Sequence, residues 1–132
     1  MNTCKRILIA DDAEHQRHAV REILESEEFE VVGEATNGRE AVELFASLRP
    51  DMVLLDLVMP EACGLSALRE IRRLCNETPV VVCSGFGQER LAAEAVVSGA
   101  NDFVVKPFHP FHLLATLWRN QPKRFVPEAL VA

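Results

Sequence analysis

The sequence predicts a three-layer α/β/α protein with a five-stranded parallel sheet, and three observations lead there. Short apolar runs alternate with helix-period segments five times over, the pattern of a parallel sheet covered by helices on both faces. Four of those runs end in residues with reactive side chains, Asp11-Asp12, Asp56, Ser84 and Lys106. The 132 residues suffice for one core and leave no room for a second domain of ordinary size.

Each element has its own signal. Ile7-Leu8-Ile9-Ala10 is the first strand, and Val20, Ile23 and Leu24 mark the apolar face of the helix after it. Val31-Val32, flanked by Glu30 and Glu34, has the polarity of an edge strand. Asn37-Gly38 then opens a second helix facing inward through Ala41, Leu44, Phe45 and Leu48. Arg49-Pro50-Asp51 separates that helix from the buried strand Met52-Val53-Leu54-Leu55, and Leu65, Leu68, Ile71 and Leu74 line a third helix. Thr78-Pro79 starts the strand Val80-Val81-Val82-Cys83; Leu91, Ala95 and Val96 mark a weaker fourth helix, closed by Gly99-Ala100-Asn101. Phe103-Val104-Val105 is the last strand. His109-Pro110 puts a proline at the first position of the last helix, where its missing N–H costs nothing, and Leu113, Leu114, Leu117 and Trp118 form that helix's face.

Composition excludes several classes. Apolar residues make up 48% and charged residues 26%, ordinary for a soluble globular protein, and a net charge of -6 argues against a broad nucleic-acid or anionic-membrane surface. No run approaches the roughly 18 apolar residues of a membrane span, and the N-terminus lacks a cleavable leader, so a cytoplasmic protein is expected. Cys4, Cys63, Cys75 and Cys83 show no C-x-x-C spacing and read as structural thiols. His15 and His18 read as a solvated helix face, and His109 and His112 lack a third partner for a metal.

Ligands of open parallel sheets bind beyond the carboxyl ends of the strands, which puts Asp11, Asp12, Asp56, Ser84 and Lys106 on one rim. The first and third strands lie side by side if the order is 2-1-3-4-5, and three carboxylates would then crowd together. Such a cluster needs a cation, and oxygen donors without His or Cys select Mg²⁺ or Mn²⁺. A lysine and a hydroxyl aimed at the same spot suit phosphoryl oxygens. Aspartate can itself be the nucleophile in phosphoryl transfer, and Asp56 is the best placed. Taken singly, Asp11-Asp12 reads as a helix N-cap and Lys106-Pro107 as a solvated lysine before a turn; the conjunction does not.

With those residues in hand, the chain resembles the receiver domains of two-component response regulators, of the stand-alone chemotaxis type. The segments that carry the likeness are Ile7-Leu8-Ile9-Ala10-Asp11-Asp12, Leu54-Leu55-Asp56-Leu57-Val58-Met59-Pro60 with Gly64, Val82-Cys83-Ser84-Gly85, and Gly99 through Phe108. The resemblance implies a flavodoxin-like (βα)5 fold in the order 2-1-3-4-5, a receiver domain over residues 4–120, and a tail or linker start over 121–132. It implies that Asp56 accepts a phosphoryl group from a histidine kinase or histidine phosphotransfer protein. Asp12, Asp56 and the main-chain carbonyl of Val58 would ligate Mg²⁺, with Asp11 acting through a coordinated water. Lys106 and Ser84 would bind phosphoryl oxygens, Lys106-Pro107 would be a cis peptide, and Phe103 would take the aromatic switch position.

The switch implied is electrostatic: a phosphoryl group adds about 1.5–2 negative charges and three acceptors. Moving Ser84 onto it opens space for Phe103 and changes the surface of the fourth helix, fifth strand and fifth helix, where a downstream partner or output domain would dock. Inverting such an equilibrium from 1:99 to 99:1 takes about 5.5 kcal/mol, within reach of a few charge-assisted hydrogen bonds at about 1.5–3 kcal/mol each. By this reading the chain is no enzyme toward outside substrates, binds no nucleic acid or membrane directly, and is a monomer or a phosphorylation-promoted dimer.

Phe103 departs from the frequent tyrosine. Val58 and Phe86 are apolar where receivers flank the path of hydrolytic water, so slow self-dephosphorylation is expected. The tail after Trp118 leaves no room for an effector and favours a stand-alone protein over a domain excised from a longer regulator. Two rivals share parts of the pattern. Phosphatases of the haloacid dehalogenase type use a strand-end aspartate with Mg²⁺, yet their acid/base aspartate two residues on is replaced here by Val58. A flavin carrier would need a hydroxyl-rich loop where this chain has Asp11-Asp12-Ala13-Glu14.

Overall fold

The computed structural model describes residues 5–60 and 63–122; Cys4 and the tail from Lys123 onward lie outside them. Strands β1 (Lys5–Ala10), β2 (Phe29–Ala35), β3 (Met52–Asp56), β4 (Val80–Ser84) and β5 (Asp102–Val105) alternate with helices α1 (Glu14–Glu25), α2 (Gly38–Leu48), α3 (Gly64–Leu74), α4 (Glu89–Val97) and α5 (Pro110–Arg119). All strand pairings are parallel, in the order β2-β1-β3-β4-β5. This is the flavodoxin-like (βα)5 fold that the alternation predicts.

The sheet separates two apolar layers. On one face Leu8, Val53, Leu55, Val80 and Val82 pack under Ala41, Phe45, Leu68, Ile71 and Ala95 of α2, α3 and α4. On the other, Ile7, Ile9, Leu54, Val81 and Val104 meet Val20 and Leu24 of α1 and Leu113 and Leu117 of α5. Every residue of β3 and β4 is buried, as continuous apolar runs covered on both sides require. β2 is an edge, with Glu30 exposed.

Helix starts follow local rules. Asn37 caps α2 by accepting the Glu40 N–H at 2.8 Å, and Pro110 begins α5 after His109, whose Nδ1 accepts the Phe111 N–H. That bond uses a His109 ring nitrogen as an acceptor inside its own helix start.

Three expected core positions differ. Leu74 is 49% exposed at the last residue of α3, where Ile71 and Cys75 take the core-facing positions. α4 buries Ala92 and Ala95 and leaves Val96 and Val97 outside, so small residues face the sheet. Trp118 is 39% exposed at the end of α5, its ring 5.3 Å from Phe29 and beneath the Lys5 ammonium. It lies at the strand starts, far from the rim where β1, β3, β4 and β5 end. None of the helices described is long and apolar enough to cross a membrane.

Candidate functional site

The parallel order brings four strand ends together. Asp11 follows β1, Asp56 closes β3, Ser84 closes β4, and Lys106 follows β5. Their cores hold these termini in register: Ala10 pairs with Leu55, Asp56 with Cys83, and Ser84 with Val105. Oxygens of Asp11, Asp12 and Asp56 all lie within 4.8 Å of one another, and these form the one group with metal-holding spacing among the described residues.

Lys106 joins two of the three. Its Nζ donates to Asp11 Oδ2 at 2.7 Å and to Asp56 Oδ2 at 3.1 Å. It is therefore no solvated surface lysine, and the Lys106-Pro107 peptide is cis. Burial works against its charge, but the hydrogen bond to Asp11 and the negative charges of Asp56 and Asp11 outweigh this and raise its pKa.

Asp56 is buried, with its Oδ1 accepting the Val58 N–H at 3.1 Å. Burial lifts its carboxyl above the ordinary aspartate range, and Asp11 adds to the rise; the Val58 N–H and Lys106 pull the other way without cancelling it. Asp12 is exposed, and among the described residues nothing bonds its carboxylate. Neither Asp11 nor Asp12 caps α1: the N-cap is Ala13, whose N–H is taken by Asp11 Oδ1 at 2.9 Å. One lysine against three carboxylates leaves a local excess of negative charge that suits a hard divalent cation.

Ser84 is buried, whereas Phe103 is 43% exposed, so Phe103 is no plain core residue. A cavity of about 150 Å³ lies between them, lined also by Ala92, Ala93 and Val105. Val58 and Phe86 flank the rim, both exposed. His15 and His18 lie on the open face of α1, His18 beside Glu22 at 3.4 Å.

Two features escape sequence reasoning. A Cβ at Gly64 would overlap the Asp56 carbonyl oxygen and meet Leu57 Cα at 2.5 Å, while the Gly64 N–H donates to the Leu57 carbonyl at 3.1 Å. The start of α3 thus packs directly on the backbone carrying Asp56, a reason for glycine that its place in a loop motif does not disclose. Arg17 donates to the Asp11 carbonyl at 2.7 Å from what reads in sequence as a solvated helix face. Cys63, Cys75 and Cys83 are free thiols; burial pushes Cys83, beneath the site, up to about 12.

A five-stranded parallel sheet with an acidic cluster, a hydroxyl and a lysine at its carboxyl edge is an arrangement suited to a hard cation beside an anionic group, and comparison with known proteins gives the family to which it belongs. The chain belongs to the response regulator receiver domain family, whose model matches residues 7–117. It is 45% identical over 113 residues to the chemotaxis protein CheY of Thermotoga maritima, covering 86% of this chain and 94% of that protein. Among solved structures it is similar to the response regulator domain of Thermotoga maritima CheB, with a TM-score of 0.82 and 31% identity over 89% of this chain and 96% of the other. It is likewise similar to the Borrelia burgdorferi CheX-CheY-BeF3-Mg²⁺ complex, with a TM-score of 0.83 and 29% identity over 93% of this chain and 90% of the other. The protein is a CheY-like receiver domain of two-component signalling.

Proposed function

We propose that Asp56 is the phosphoacceptor, taking its phosphoryl group from a phosphohistidine on a histidine kinase or phosphotransfer protein. The single observation that carries this reading is the Lys106 bridge between Asp11 and Asp56, inside a cluster of three carboxylates at the open end of the sheet. An Asp56 carboxylate oxygen attacks phosphorus, the P–O bond forms as the P–N bond breaks, and the imidazole nitrogen keeps the bonding pair. Lys106 and the Ser84 hydroxyl donate to the phosphoryl oxygens.

Asp12, Asp56 and the Val58 carbonyl would hold Mg²⁺ (or Mn²⁺), with Asp11 acting through water. Both Asp11 oxygens already accept hydrogen bonds, from Ala13 and Lys106, which supports its indirect part. When bound, the cation offsets the negative charge gathering between phosphate and carboxylates.

Phosphorylation draws Ser84 toward the phosphate, and Phe103 turns into the cavity between them. The changed face is that of α4, β5 and α5, where Phe103 withdraws and exposed Phe111 offers apolar contact to a downstream partner. On this reading the only chemistry is the chain's own phosphorylation and dephosphorylation. The domain is taken as 4–120, acting in the cytoplasm.

Beryllofluoride titration with Mg²⁺, followed by NMR of the amide groups around Ser84 and Phe103, tests the site. Wild type should shift those signals in the presence of both ions, and Asp12→Ala should need about 10-fold more Mg²⁺ to do so. Equal Mg²⁺ dependence in the two proteins counts against Asp12 as a ligand.

A further inference from the structure

Asp11 is fastened at all four of its polar positions. Its N–H donates to the Ala35 carbonyl at 3.0 Å, and its two carboxylate oxygens take Ala13 and Lys106. Its carbonyl oxygen accepts Arg17 Nη1 at 2.7 Å. Arg17 is in turn held from the other side, its Nε donating to Glu34 Oε1 at 3.0 Å, while the second Glu34 oxygen takes Arg21. Glu34 stands on β2 opposite Ile9, so the guanidinium bridges the turn after β1 to the neighbouring strand. Its side chain is only 12% exposed, and a planar fork held by two acceptors has little freedom to reorient.

Asp12 has no such support: its direction follows from the main chain of the Asp11-Asp12-Ala13 turn. We propose that Arg17, oriented by Glu34, is a positioning residue that fixes this turn and thereby sets the affinity of the acidic site for a divalent cation. The inference rests on the cation-site reading above. It goes beyond that reading by assigning a role to a residue that touches neither phosphate nor metal.

The guanidinium has two effects of opposite sign. As a positive charge near the cluster it repels a cation, so deleting it should tighten binding. As a clamp on the turn it fixes Asp12, so deleting it should loosen binding. Arg17 belongs to a balanced group of two guanidiniums and two carboxylates, with Arg21, Glu34 and Glu25, so its net field at the cluster is small and the clamp is the larger effect.

Calorimetric Mg²⁺ titration of the full chain, without phosphodonor, separates these effects in wild type, Arg17→Ala and Arg17→Lys, with circular dichroism confirming the fold. The dissociation constant should rise about 10-fold in Arg17→Ala. It should rise about threefold in Arg17→Lys, which keeps the charge but loses the two-pronged hold, so weakening there reports geometry. Unchanged or tighter binding in folded Arg17→Lys overturns the proposal, and that variant decides if Arg17→Ala does not fold. Absence of Mg²⁺ binding by wild type would overturn the cation site itself, a distinct result.

Discussion

Lys106 Nζ stands 3.1 Å from Asp56 Oδ2, across 50 residues of chain, yet the Asp56 carboxyl is still held above its ordinary pKa. Burial outweighs the ion pair because Lys106 also serves Asp11, its shorter contact. The fold therefore carries a disfavoured charge at the residue best placed to be modified, and its consequences are measurable.

Stability should respond to that charge. A carboxyl whose folded pKa is raised binds its proton more tightly in the native state, so ionisation penalises the fold above the raised pKa. The penalty fades as pH falls toward the unfolded value near 3.8. Asp56→Asn removes it while Lys106 keeps Asp11. Thermal melts at pH 7 should show a higher Tm for Asp56→Asn, by about 4 °C for each kcal/mol relieved, and a smaller gap near pH 4. A lower Tm at pH 7 would mean that the Lys106 pairing dominates.

Gly64 should be intolerant of any side chain. A methyl there overlaps the backbone of Asp56 and Leu57, which cannot swing aside as a side chain can. Gly64→Ala should cost about 2–3 kcal/mol in denaturant unfolding, although alanine favours helix. A neutral result would show that α3 can shift away from the site without cost.

Phosphoryl lifetime should be long. Val58 and Phe86 expose apolar side chains at the rim and offer no group to orient an attacking water. Val58→Asn with Phe86→Glu should shorten the lifetime of the phosphorylated purified protein by about 10-fold. A wild-type lifetime of only seconds contradicts the account.

The parts of the site that lie in the sequence order of strands were legible there. Asp11, Asp12, Asp56, Ser84 and Lys106 each interrupt an apolar run, and parallel topology leaves one rim on which they meet. Helix faces were legible where periodicity ended with the helix, as for Leu65, Leu68 and Ile71, but not at Leu74, one turn too far. In α4 Leu91 packs against the core and Ala95 is buried as periodicity suggests, but Ala92 rather than Val96 completes the inner face, because a small residue fits close to the sheet. Arg17 was illegible because one partner is a backbone carbonyl, that of Asp11, and the other, Glu34, is brought to it by the pairing of β1 with β2. Trp118 reads in sequence as part of the last helix's apolar face; its place beside Phe29 and Lys5, at the strand starts, comes from where that helix ends.

Intact-protein mass spectrometry after incubation with acetyl phosphate and Mg²⁺ tests the central claim most directly. Wild type should gain one phosphoryl group, gain none when Mg²⁺ is chelated beforehand, and Asp56→Asn should gain none in either case. A phosphoryl adduct on Asp56→Asn equal to that on wild type, or none on wild type with Mg²⁺ present, would contradict the assignment of Asp56 as phosphoacceptor.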